Sequence, residues 1–185
     1  FYDKMKPYIV NANSYARNQF MGHELYALHP KFDELLKGAA TQMVALRAFY
    51  EAIPYIDLTI TATGIAVTNN ASLAPASEHR IERLRKQVMD SYDRSIDSLI
   101  EGFISSPTYR RLFQLAPLFK VLTNSLIFLG RDLEIYAGEE QGSRTALNKL
   151  RPEIALAENK LIQFISVEYY NELITKLRNH ELTEE

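Results

Sequence analysis

The sequence predicts a mainly α-helical protein, a bundle of about five or six helices that carries one small β-hairpin. Three observations lead there. Apolar residues recur at three- and four-residue spacing over most of the chain, one short stretch switches to strict alternation, and Pro, Gly and Ser mark the joints between segments.

Over residues 2–20, Met5, Ile9, Ala12, Ala16 and Phe20 recur at helical spacing, so the opening segment reads as a helix with one buried stripe and Pro7 in its first turn. A second helix is expected to begin after Pro30 and end at Ile53, before Pro54, with Phe32, Leu36, Ala39, Met43, Leu46, Tyr50 and Ile53 on one face. The period then changes. Leu58, Ile60 and Ala62 alternate with Thr59, Thr61 and Thr63, Gly64 interrupts, and Ile65 and Val67 alternate with Ala66 and Thr68, which is a hairpin pattern over residues 57–69. A lone two-stranded hairpin is marginal in water, so its aliphatic face is expected on the helices, with the threonine face solvated or paired.

After a loop through Asn69, Asn70, Ser72 and Pro75, Ser77 reads as the N-cap of a long helix to about residue 104. Its stripe is Ile81, Leu84, Val88, Tyr92, Ile96, Leu99 and Phe103. The opposite faces offer Glu82 with Lys86 and Asp90 with Arg94, pairs worth about 0.3 kcal/mol each. Residues 109–124 are expected to be helical and broken near Pro117, with residues 126–129 a strand or an extended crossing segment. Gly138 through Ser143, with two glycines, form the candidate hinge and boundary between a domain over 1–137 and a terminal unit over 138–185. Residues 147–177 read as one helix, or two joined near Ser166, with Leu150, Ile154, Ala157, Leu161, Phe164 and Ile165 on the apolar side.

Composition narrows the class. With 185 residues, 46% apolar and 24% charged, the chain has the balance of a folded globular protein. Its 21 Lys plus Arg against 23 Asp plus Glu leave a net charge of −2, so no global field draws it to nucleic acid or an anionic membrane. The absence of cysteine excludes disulfides, thiolate metal sites and cysteine nucleophiles, and fits a reducing compartment. The longest apolar candidate, residues 118–129, is interrupted by Lys120, Thr123, Asn124 and Ser125, so no membrane span is expected. An opening Phe1, with no basic and apolar leader, suggests a processed or trimmed chain.

The two ends of the chain resemble each other. Lys6, Pro7, Ile9 and Ala12 match Arg151, Pro152, Ile154 and Ala157 at one offset; after a one-residue slip, Phe20, Glu24 and Tyr26 match Phe164, Glu168 and Tyr170. Each unit has one apolar stripe that needs covering, as repeated helical units do.

The opening KPYI helix, the phrases DLTITATGIAV and LAPAS, and the closing LRPEIALAENKLIQFI helix together resemble an uncharacterised family encoded by tailed phages and prophages of Bacteroidota, over nearly the whole chain. Members sit among head and neck genes, so the resemblance implies a head–tail connector or adaptor subunit, located in the virion or the host cytoplasm. Its implied partners are portal, neck or tail subunits and further copies of itself. The closing helix also resembles the opening helix of known helical head–tail adaptors. The family's second unit continues past the position of Glu185.

No residue pattern points to catalysis. His23, Glu24 and His29 come nearest to a zinc-protease helix, but histidines six apart point about 240° from each other around a helix, so they diverge. His79 and His180 have no companion at ligand spacing. Gly138, Gly142 and Ser143 lack the lysine and the glycine spacing of a phosphate loop. Glu158 and Glu168 read as solvated helix positions. No cofactor, metal or small-molecule substrate is expected. Two surfaces remain as candidates. The hairpin residues Leu58, Thr59, Thr61, Thr63, Ile65 and Val67 offer sheet edges to a neighbouring subunit. Arg80, Arg83 and Lys86, with Arg85, Arg110 and Arg111 nearby, offer a basic stripe to DNA phosphates, interrupted by Glu78, Glu82 and Asp90. Part of the set of eleven Tyr and nine Phe is expected at subunit contacts, since tyrosine joins apolar area to a polar tip. A phage structural protein is therefore the leading reading; a DNA-binding accessory protein, or a small helical enzyme or ligand-binding protein, is the alternative.

Overall fold

Helix forms from Tyr2 onward. The computed structural model describes residues 2–55, 58–61, 64–67, 78–137 and 142–182. In it α1 (Tyr2–Tyr15) runs into a π turn (Ala16–Phe20) and then α2 (Gly22–Ala27). The opening stripe is buried at Met5, Ala12, Ala16 and Phe20. Pro7 lies inside α1 rather than in its first turn, because the helix already starts at Tyr2; its missing N–H removes one bond on a solvent-facing turn. Gly22 has φ of +76°, a conformation that lets the chain turn from the π segment into α2 without the clash a Cβ brings. At six residues, α2 is too short to show a period.

A single turn of 3-10 helix (His29–Lys31) leads to α3 (Glu34–Ala52), which begins later than expected because Asp33 is its N-cap and accepts from the Leu36 amide at 2.8 Å. Two short strands follow, β1 (Leu58–Thr61) and β2 (Gly64–Val67), antiparallel in the register Leu58↔Val67 to Thr61↔Gly64. The remaining expected hairpin residues, Thr63 among them, lie outside the described residues, as do Ser77 and the side chains of both strands. Next comes α4 (Glu78–Ser105), with Leu84, Val88, Ile96, Leu99 and Phe103 buried along the expected stripe. Its expected pairs do not close. Among the described residues the ion pairs are Arg47–Glu51, Arg131–Glu101, Arg144–Asp97 and Lys176–Glu172, while Arg94 donates to Ser91 Oγ. Solvated pairs gain too little to hold two long side chains in one geometry.

Helix α3 packs between α1 and α4, and the core forms where their stripes meet. At one end Phe20, Phe32, Phe103, Phe113 and Phe119 interlock, with ring centroids 5.3 Å apart for Phe103–Phe113 and Phe113–Phe119. At the other end Met5, Ala12, Ala48, Ala52, Ile53, Leu84 and Val88 form a smaller cluster.

The segment expected to break near Pro117 does so, giving α5 (Pro107–Phe113) and α6 (Phe119–Leu122). The Leu118 amide donates to Gln19 of the π turn at 3.2 Å and ties the break to the first unit. Residues 126–129 form no strand, because their amides go to side chains: Leu126 to Glu158, Ile127 to Ser125 and Leu129 to Asp132. A short helix, α7 (Asp132–Ala137), follows. The last expected helix is two, α8 (Arg144–Ile165) and α9 (Val167–Arg178), parted at Ser166.

Ser166 has φ of +75° and caps α9 by accepting from the Tyr169 amide at 3.3 Å. A residue with a Cβ at positive φ and ψ of 158° costs about 1–3 kcal/mol, whereas replacing a Ser cap by Gly costs only a few tenths, roughly 0.3 kcal/mol. Ser166→Gly is therefore expected to raise the urea midpoint, by about 1 kcal/mol of unfolding free energy. A midpoint that falls would show that the cap outweighs the strain.

Candidate functional site

Most charged groups at the junction of α4 and α8 are used to hold the fold. Asp97 and Arg144 are buried and face each other at 3.3 Å. Asp97 Oδ2 also accepts from the Gly130 and Arg131 amides at 2.6 and 3.3 Å, Arg144 donates to the Phe128 carbonyl at 2.9 Å, and Asp93 accepts from the Thr145 amide at 2.8 Å. A charge this far from water is tolerated only with partners of this kind. Burial pushes the Asp97 carboxyl up to about 6, with Arg144 and the two amides pulling it down and nearby Asp93 adding to the rise. Burial raises Asp93 as well.

A carboxyl whose folded pKa exceeds its unfolded value binds its proton more tightly in the native state. Its contribution is fully present below about pH 4 and is lost as pH rises through about 6. Urea midpoints are expected to fall between pH 4.5 and pH 7 in the native chain, and Asp97→Asn is expected to flatten that slope. A slope unchanged in Asp97→Asn would assign it to other groups.

At the described end of the expected hinge, Gly142 and Ser143, the backbone passes close to Gly130. Gly142 donates to Glu134 Oε1 at 2.8 Å, and a Cβ on it would collide with the Gly130 carbonyl oxygen. A Cβ on Gly130 would stand 2.6 Å from Ser143 C. Both glycines therefore serve backbone approach, and Ser143 caps α8 by accepting from the Ala146 amide at 3.1 Å. Residues 138–141 lie outside the described residues. Glu158 is likewise no free surface acid: half-buried, it accepts from Ser125 Oγ and the Leu126 amide, both at 2.7 Å. Glu168 is exposed, as expected.

The histidines form no ligand set, and among the described residues no group of three or more His, Cys, Asp or Glu could hold a metal ion. His23 accepts from Arg17 at 3.1 Å, and His29 stacks on Tyr26 at 6.3 Å. An apolar cleft of about 430 Å³ lies between α1, α2 and α3, with Asn13, Tyr26, His29 and Thr41 on its walls. Three of these groups are spent on one another and on the backbone: Tyr26 donates to Asn13 at 3.1 Å, Asn13 donates to the Ile9 carbonyl at 3.0 Å, and Thr41 donates to the Lys37 carbonyl at 2.9 Å. Burial, with Lys37 nearby, lowers the His29 pKa.

Arg80, Arg83 and Lys86 of the basic stripe all lie exposed along α4. Arg83 lies 3.1 Å from His79, whereas Arg110 is turned inward and donates to the Ile104 and Asn179 carbonyls. Lys86 also joins Arg85, Arg94 and Lys149 around a polar cleft of about 490 Å³ that also contains Asp90 and Glu134. Sequence spacing missed this group because Lys149 arrives from α8, far along the chain.

Among the described residues, α8 with the start of α9 leaves a long apolar stripe uncovered. Of the 22 residues of α8 only Arg144 and Leu147 are buried. Its expected apolar side is half-exposed at Leu150, Ile154 and Ile165 and open at Ala157, Leu161 and Phe164, with Phe164 87% exposed. Leu156, Val167 and Tyr169 add to the open apolar area. The stripe was legible in the sequence; that it stays uncovered was not, because covering depends on the neighbours the fold supplies.

Residues 1–110 match a family described as of unknown function, DUF6712, a span of more than half the chain. The chain belongs to DUF6712. The match takes in α1 to α4 and most of α5, and the open face of α8 lies beyond it. No curated protein and no solved structure matches the chain. No helix among the described residues is long and apolar enough to cross a membrane.

Proposed function

We propose that this DUF6712 chain is a structural subunit of a phage or prophage virion, of the head–tail connector or adaptor kind, acting by contact with portal, neck or tail proteins and with copies of itself. The observation that carries the reading is the long amphipathic α8 with its apolar stripe open to solvent. Such a contiguous surface is characteristic of a protein interaction site. The resemblance of DLTITATGIAV and LAPAS to tailed-phage proteins supplies the particle. The outer edges of β1 and β2, with Leu58, Thr59, Thr61, Ile65 and Val67, are a second contact surface, since sheet edges readily pair with other chains.

The reading includes an internal duplication of the terminal units. A π turn is what one extra residue makes of an α-helix, and the π turn at Ala16–Phe20 falls where the alignment of the two units slips by one residue. Beyond the slip, Gly22 and Ser166 stand in register, and both have positive φ, +76° and +75°. Phe20 of the first unit is sealed under Phe113; its counterpart Phe164 is open.

The test is location. Particles released after induction of a host that encodes the chain are purified on a density gradient and analysed by mass spectrometry. The chain is expected at a fixed ratio to the portal protein; recovery only in the particle-free fraction would overturn the reading.

The cleft ringed by Arg85, Lys86, Arg94 and Lys149 favours a second reading, contact with DNA phosphates. On that reading Arg94→Ala with Lys149→Ala lowers the salt slope of DNA binding by about 2. An unchanged slope would reject the cleft.

A further inference from the structure

We infer that the open stripe of α8 is a two-fold contact with a second copy of this chain, the two α8 helices running antiparallel. This rests on reading α8 as an assembly face, and it names the partner. Leu150, Ile154, Ala157, Leu161 and Phe164 follow one another at steps of four, three, four and three, the spacing of a coiled-coil seam. A stripe with that period, open at Ala157, Leu161 and Phe164, suits a single partner helix lying along it.

Charge identifies that helix. On one flank, the residue before Ile154 is Glu153 and the residue before Leu161 is Lys160; both are exposed and they stand seven apart, one above the other. When two copies of this helix run antiparallel, residues of the same flank meet across the seam. Glu153 then faces Lys160 of the other copy, and Lys160 faces its Glu153, so both contacts are attractive. A parallel pairing with no offset turns this flank toward the opposite one, sets Glu153 against Glu158 of the other copy and is disfavoured. The opposite flank is committed within the chain, because Arg151 donates to Asn124 at 2.9 Å and Glu158 accepts from Ser125 and Leu126. The seam is thus self-complementary on the flank left free.

Sedimentation equilibrium of the purified full chain over a wide concentration range is the test. The native chain is expected to show a monomer–dimer equilibrium. Phe164→Asp, at an exposed position, is expected to raise the dissociation constant roughly thirtyfold or more with an unchanged circular dichroism spectrum. Glu153→Lys alone or Lys160→Glu alone turns both flanking contacts repulsive and raises it roughly tenfold at low salt. The double variant Glu153→Lys with Lys160→Glu restores native dimerisation, which non-specific adhesion does not do. A monomer at every concentration, an oligomer indifferent to Phe164→Asp, or a double variant as weak as the singles would each overturn the two-fold contact. Presence in particles is measured separately. A chain that is monomeric but present in particles loses this contact and keeps the assembly role; one that is dimeric but absent from particles keeps the contact and loses the virion role.

Discussion

Phe113→Ala is expected to cost about 3–5 kcal/mol of unfolding free energy, among the largest losses available to a single core truncation in this chain. Phe113 is fully buried and lies at the meeting point of four elements: its ring centroid is 5.9 Å from Phe20 of the π turn, 5.3 Å from Phe103 of α4 and 5.3 Å from Phe119 of α6, while Phe113 itself ends α5. Truncation removes its transfer free energy and leaves a cavity that three other rings cannot fill without leaving their own contacts. Tilted and edge-on ring pairs add about 0.5–1.5 kcal/mol each beyond the area they bury. Phe113→Leu keeps most of the volume and is expected to lose less than half as much. Urea denaturation followed by circular dichroism measures both. A loss under about 1 kcal/mol for Phe113→Ala would mean that this cluster does not anchor the bundle.

The second large effect is asymmetric. Asp97→Ala is expected to cost about 3–5 kcal/mol at pH 7, because it leaves a buried guanidinium without its carboxylate and strips the Gly130 and Arg131 amides of their acceptor. Arg144 cannot shed its proton to escape, since guanidinium stays charged in proteins. Arg144→Met is expected to cost less. The stranded Asp97 can take up a proton, which burial already favours, and methionine fills the space of the arginine stem. Guanidinium denaturation of the two single variants at pH 7 decides it, and a larger loss for Arg144→Met would reverse the assignment of which partner carries the burden. This pair joins α8 to α4, so Asp97→Ala is also expected to loosen the mounting of the helix proposed to meet other subunits.

Helical class, the stripes of α1, α3 and α4, the break near Pro117 and the break near Ser166 were legible because each rests on local spacing or on a residue with restricted backbone freedom. The positions of α2 and α7 were not, since six residues hold too few turns to show a period. The roles of Glu158 and Gly142 were misread for a different reason. In sequence they look like a solvated acid and a loose glycine, and only the chain brought against them from residues 125–130 makes one a half-buried acceptor and the other a point of backbone contact.

By itself, then, the order of residues determined which faces are apolar, where helices stop and which terminal segments resemble each other, because those properties depend on neighbours three or four positions away. Tertiary structure alone decided which apolar faces are covered. The stripe of α1 is covered at Met5 and Ala12 by residues of α3 and α4, while the comparable stripe of α8 meets solvent along most of its length. Burial is a property of what lies opposite a residue in space, and residues far apart in the chain supply it.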